Sequence, residues 1–291
     1  MIDLHIHTNH SDGTDNVLGV LQKAEMLNLP YISITDHDSV KAYEELKNID
    51  VKKYYTGTII PGAEIKTTFN GIPVEVLGYD FDVEKFSKSE CVNEKRKIDL
   101  QNKYLQNYIE VGNQLGLMCN PNLIVTSNKE WAALIYRAEI EKYPENYGIV
   151  PELLECKHTE FYRLTAGNPH SPFYLDETED NLDINFVIDE IHRCGGKTFL
   201  AHLFAYKLEK PMEFLNLLFQ TTNIDGCECY YSEFTEEETK MIVECALANA
   251  KLMSGGSDYH GTLKKIELGT GLGNLAVPND IISWYQEIPE N

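Results

Sequence analysis

Short apolar runs of strand type alternate with amphipathic helical stretches at both ends of this 291-residue chain, and that alternation predicts strand-helix units built on a parallel sheet. Strands are expected at residues 2–7, 31–36, 58–65, 73–79, 198–202, 226–230 and 251–255. Helices fit between them, as in NVLGVLQKAEMLN, in VKAYEELKNI after the possible caps Asp38 and Ser39, and in INFVIDEIHRCGG with its glycine stop. Seven parallel strands with short connections and no obvious edge predict a closed or nearly closed α/β barrel formed by residues 1–79 and 183–291. Between residues 80 and 182 the rhythm changes to long polar helical stretches, which reads as a helical insert carried on the barrel.

Composition narrows the function classes. Lys and Arg total 25 against 46 Asp and Glu, a net charge of −21, and no basic run offsets it. A field of that sign repels polyanions, so a nucleic-acid polymer is an improbable partner. No segment approaches the roughly 18 apolar residues of a spanning helix, and MIDLHIHT lacks a basic region followed by an apolar core; no membrane and a cytoplasmic location are expected. The seven scattered cysteines, without C-x-x-C spacing, argue for a reducing compartment. Cys227 and Cys229 share a strand face and read as small core hydrophobes.

Histidines and carboxylates gather at the ends of the expected strands. His5 and His7 stand at i and i+2 on the first, so both imidazoles leave one face and can meet on one ion. His10, Ser11 and Asp12 follow in a polar turn, strand two runs into Asp36-His37-Asp38, strand three ends at Glu64, strand five at His202, and strand seven leads to Asp258 and His260. In a parallel barrel those ends rim one mouth. Packing gives no reason to collect so many groups that are costly to bury unpaired, whereas divalent cations require them.

These segments, DLHIHTNHSDG at 3–13, ITDHDS at 34–39, PGAEI at 61–65, LAH at 200–202 and GGSDYHG at 255–261, resemble the PHP (polymerase and histidinol phosphatase) superfamily, in particular its free-standing bacterial phosphoesterases. The resemblance implies a distorted seven-stranded barrel and two or three divalent ions, manganese, iron or zinc. It implies a first ion at His5, His7, Glu64 and Asp258, a second sharing Glu64 with His202, and a third at Asp12, His37 and His260, with His10 a rival to Asp12. Where relatives often have a histidine in H-x-L-G, this chain has Glu75, either a ligand favouring harder ions or a solvated outer residue. The G-R-P-H segment of relatives has only Gly167-Asn168-Pro169-His170 as a literal counterpart, which leaves Arg137 and His170 as substrate-contact candidates.

The implied activity is hydrolysis of a small phosphorylated metabolite, nucleotide-type esters favoured over histidinol phosphate. A metal-bridging hydroxide would be the nucleophile, with Asp36 or His260 relaying a proton to the leaving oxygen. A catalytically silent, metal-stabilised protein that binds a ligand or partner is the rival that the Glu75 and G-R-P-H departures together suggest.

Overall fold

The computed structural model describes residues 1–127, 129–156 and 158–285. Nine strands appear among them: β1 Asp3–Ile6, β2 Tyr31–Ile34, β3 Thr58–Ile59, β4 Gly62–Phe69, β5 Ile72–Tyr79, β6 Leu182–Asp183, β7 Lys197–Leu200, β8 Gly226–Tyr231 and β9 Leu252–Gly256. They form a three-stranded sheet ordered β1-β2-β3 and a six-stranded sheet ordered β6-β4-β5-β7-β8-β9. The expected segments are present, but the closed parallel barrel is not.

Two local features account for the difference. Residues 58–65 split because Pro61 has no N–H with which to continue a ladder, so the chain leaves the first sheet after β3 and enters the second at β4. The second feature is Asn70-Gly71, both at positive φ (50° and 73°), which closes a two-residue hairpin pairing Phe69 with Ile72. This turn reverses the chain, so β5 runs antiparallel to both β4 and β7 and the sheet is mixed. A Cβ on Gly71 would meet nothing within 4 Å. Gly71→Ala is therefore expected to cost only the left-handed backbone penalty, about 1 kcal/mol, read as a lower denaturant midpoint with unchanged metal content; an unchanged midpoint would contradict the turn assignment.

The seam between the sheets runs along β1 and the segment after β9. His7 N–H donates to the Tyr259 carbonyl (2.8 Å) and Asp258 N–H to that of His5 (2.8 Å). The buried Asp3 carboxylate takes up further donors, accepting from Ser257 N–H (2.8 Å), Ser257 Oγ (2.6 Å) and Gly269 N–H (2.7 Å), so side-chain bonds stand where a ladder would have to run. Glycine is required at 256 for this approach, since a Cβ there would lie 2.3 Å from the His5 nitrogen.

The chain divides into two compact units, residues 1–92 with 181–291 and residues 93–180. Residues 80–92, which polarity groups with the insert, belong to the larger unit because Phe81, Phe86, Cys91 and Val92 enter its core. That core also holds the helical stripe Val17, Val20, Leu21 and Ala24, whose spacing follows the 3.6-residue period. The smaller unit is helical and packs Tyr104, Tyr108, Tyr136, Phe161 and Phe173 from the helices Glu94–Gln114 and Ala132–Ile140 and the chain beyond them. All seven cysteines are free thiols. No helix among the described residues is long and apolar enough to cross a membrane.

Candidate metal centre

Strand alternation puts Leu4 and Ile6 into apolar clusters and turns His5 and His7 to the opposite face, where their Nε2 atoms lie 3.1 Å apart. Glu64 Oε2 stands 3.2 Å from each of them, and Asp258 Oδ1 3.5 Å from His5 and 3.3 Å from His7. All four residues are buried, and their ligand atoms face one another. The other Glu64 oxygen, Oε1, lies 2.9 Å from His202 Nε2, so one carboxylate faces two positions.

Glu75 is on the inner side. Glu64 pairs with Leu77 across the hairpin, so Glu75, two residues from Leu77, leaves the same face as Glu64. Its oxygens lie 3.2 Å from His202 Nε2 and 3.5 Å from His37 Nδ1. A carboxylate thus reaches His202 and His37 from the middle of an antiparallel strand, not from a parallel strand's carboxyl end. Glu75→His is expected to move metal preference from manganese toward zinc by about tenfold in a competition titration; an unchanged preference would show that Glu75 does not set it.

Asp12, His37 and His260 form the third group. His260 Nε2 is 3.2 Å from Asp12 Oδ1 and His37 Nε2 is 3.8 Å from Asp12 Oδ2. His37 spans two positions, because its Nδ1 lies 3.2 Å from Glu64 Oε2. His260 Nδ1 is 2.8 Å from the Asp258 carbonyl, which can only accept, so Nδ1 carries the proton and Nε2 keeps its lone pair toward the group. His10 is elsewhere: its Nε2 meets Glu45 Oε2 at 2.6 Å, which leaves Asp12 in the third group.

Backbone strain aims these side chains. Asp38, His202 and Asp258 hold φ of 47°, 20° and 58°, in the region non-glycine residues avoid, all at strand ends beside the cluster. Asp38 is no helix cap; its Oδ1 accepts from Lys66 N–H at 3.0 Å.

Asp36 and Arg137 are both engaged by neighbouring groups. The buried Asp36 carboxylate accepts from Thr8 N–H (2.7 Å), Thr8 Oγ1 (2.7 Å) and Ser11 Oγ (2.6 Å), so it clamps the turn that carries Asp12. Arg137 is 3% exposed, its guanidinium held by Glu141 (2.5 Å) and the Leu154 carbonyl (2.6 Å) inside the smaller unit, where it cannot reach out to a substrate. His170 is exposed on that unit.

Three supporting residues escaped the sequence reading. Glu228 sits behind the cluster with Oε1 2.9 Å from His5 Nδ1. Tyr231 and Lys264 hold Asp258 Oδ2 at 2.9 and 2.6 Å, which leaves Oδ1 for the cluster. Glu228 was legible, since a residue between two core-facing cysteines on a strand must face the other way. Lys264 lies in a segment with no periodic pattern to place it.

The electrostatics agree with a cation-binding role. Burial alone would depress the His7 pKa, but Asp258, Glu64 and Asp12 carry it from 6.5 to about 9. Burial likewise opposes the shifts of His5 and His202, yet Glu64, Glu228 and Asp258 raise the first, and Glu64 with Glu75 raises the second. Burial pushes the carboxyls of Asp12, Glu64, Glu75 and Asp258 upward, and the neighbouring imidazoles hold all of them below their ordinary values. Protons and cations would thus compete for the same nitrogens.

Nitrogen and oxygen donors of this kind suit divalent metal ions; among the described residues, the ligand atoms of His5, His7 and Glu64, of His37, Glu64 and Glu75, and of His7, Asp12, His37 and His260 each lie within 4.8 Å of one another. Residues 3–147 match the PHP domain family, and through them the chain belongs to that family. It is 25% identical to a 5'-3' exoribonuclease of Haemophilus influenzae over 93% of both chains. It is 23% identical to the 5'-3' exoribonuclease Rnm of Escherichia coli, over 93% of this chain and 88% of that protein. A phosphoribosyl 1,2-cyclic phosphate 1,2-diphosphodiesterase of Eggerthella lenta is 21% identical over 91% of this chain and 95% of that one. The fold matches the crystal structure of a Bifidobacterium adolescentis protein assigned to the metal-dependent phosphoesterases (TM-score 0.67, 20% identity, 96% and 93% of the two chains). It also matches an amidohydrolase from Chromobacterium violaceum (TM-score 0.66, 18% identity, 96% and 92%).

Proposed function

We propose that this chain is a metal-dependent hydrolase of phosphoester bonds whose substrate is of nucleotide type. The observation that carries the reading is the convergence of His5, His7, His37, His202 and His260 with Asp12, Glu64, Glu75 and Asp258. Ions held there supply Lewis acidity toward a phosphoryl oxygen and lower the pKa of water. Glu64 presents one oxygen to His5 and His7 and the other to His202, so it would fix the spacing of two ions. Asp258 is oriented by Tyr231 and Lys264, and Asp36 stabilises the turn that offers Asp12. With the Asp36 carboxylate committed, His260 is left as the candidate of the two for a proton transfer at the leaving oxygen. The silent-protein alternative rests on Glu75 and on the missing G-R-P-H segment together, and of these Glu75 faces the cluster.

The relatives' names bear on the substrate: two are exoribonucleases and one acts on a cyclic phosphate ester. These names pull against the expectation that a net charge of −21 makes a polymer improbable. Net charge describes the far field, whereas ions bound at a focused site set the sign a phosphate meets there. We therefore place short RNA beside nucleotides among the substrates to be tested. Purified protein loaded with manganese is expected to hydrolyse at least one of an aryl phosphate, a nucleoside monophosphate or a short RNA, well above a His7→Ala control. Metal-loaded protein no faster than that control on all three would count against the reading.

A further inference from the structure

The Glu228 carboxylate is fully buried, and each oxygen is engaged by a different part of the cluster. Oε1 lies 2.9 Å from His5 Nδ1, and Oε2 accepts the backbone N–H of His202 at 2.8 Å. Glu228 Oε1 can accept from the Nδ1–H of His5, which leaves His5 Nε2 as the ring nitrogen that faces Glu64 and would meet an ion. The second bond acts on backbone, holding His202 at φ 20° and ψ 59°, a conformation a non-glycine residue adopts only when its surroundings enforce it. The two residues served lie on opposite oxygens of Glu64: His5 Nε2 is 3.2 Å from Oε2 and His202 Nε2 is 2.9 Å from Oε1.

We infer that Glu228 is a positioning residue which sets His5 and His202 against the two oxygens of Glu64, so that one buried carboxylate aligns the two ligand positions sharing Glu64. The inference rests on the metal reading above. Glutamine at 228 keeps the shape, but with its oxygen on the His202 amide its NH2 faces His5 Nδ1, which favours a proton on His5 Nε2 and blocks that ligand atom. Aspartate keeps the charge and shortens the reach. Cys227 is equally buried and packs in the apolar core on the opposite face of β8, so Cys227→Ala reports loss of packing there.

The test is Mn²⁺ titration of metal-free wild type, Glu228→Gln, Glu228→Asp and Cys227→Ala, with circular dichroism of each as a fold check. Both Glu228 variants are expected to bind the tightest ions about 10- to 100-fold more weakly, the usual effect of losing such an orienting partner. The ion at Asp12, His37 and His260 should be spared, and Cys227→Ala should match wild type. Wild-type affinity in either folded Glu228 variant would overturn the proposal, as would an equal loss in Cys227→Ala. So would unfolding of both Glu228 variants while Cys227→Ala folds, which would make Glu228 a folding residue only. A wild type that takes up no Mn²⁺ would overturn the metal reading itself, and the proposal with it.

Discussion

Glu64→Gln is expected to lower phosphoester hydrolysis by about a thousandfold, equivalent to about 4 kcal/mol of transition-state stabilisation. The size follows from the connectivity of this one side chain: its oxygens lie 3.2 Å from His5, His7 and His37 and 2.9 Å from His202. Glutamine removes the negative charge that two ligand positions share and turns one acceptor into a donor aimed at imidazole nitrogens. Bound manganese, measured by elemental analysis of the folded variant, should fall in parallel with turnover. A Glu64→Gln protein that retains turnover within tenfold of wild type would show that the buried glutamate is structural.

A second large effect concerns pH. His7 is fully buried, and its pKa is raised from the ordinary 6.5 to about 9 in the metal-free protein. A group raised on folding stabilises fully below its unfolded value and loses that contribution as pH rises through the folded one. The metal-free protein should therefore weaken between about pH 6.5 and 9, by about 3 kcal/mol from His7 alone. On the acid side Asp12, Glu64, Glu75 and Asp258 act in the opposite sense: their depressed pKa values confer stability above the ordinary carboxylate range that is lost as pH falls. With cations in place the imidazoles are already neutral, so the alkaline loss should vanish. After dialysis against EDTA the melting temperature is expected to fall by several degrees from pH 6 to pH 9.5, and restoring manganese is expected to abolish that fall. A metal-free protein equally stable at both pH values would contradict the proton-for-cation exchange.

Much of the centre was legible because strand geometry reduces to counting. His5 and His7 share a face by their i, i+2 spacing, and Glu64, His202, Asp258 and His260 fall where the apolar runs stop. The rest was missed for identifiable reasons. Asn-Gly between Phe69 and Ile72 is a hairpin signal, and reading it would have turned two parallel strands into an antiparallel pair and opened the barrel. The same register would have settled Glu75, since a two-residue turn at Asn70-Gly71 pairs Glu64 with Leu77 and leaves Glu75 on its face. Glu228 was passed over in favour of the cysteines beside it, although their common face implied its own. Asp36 and Arg137 could not be resolved from sequence, because their roles depend on which donors and acceptors reach them: Thr8 and Ser11 for one, Glu141 and the Leu154 carbonyl for the other. Net charge is limited in a different way, since a sum over the chain carries no information about the sign of the field at one focused site.

The most direct measurement is anomalous diffraction at the manganese edge from crystals of the full chain grown with Mn²⁺. A peak bounded by His5, His7, Glu64 and Asp258, with a second between Glu64, Glu75 and His202, is the predicted result. Crystals with no anomalous density among these side chains at saturating Mn²⁺ would contradict it.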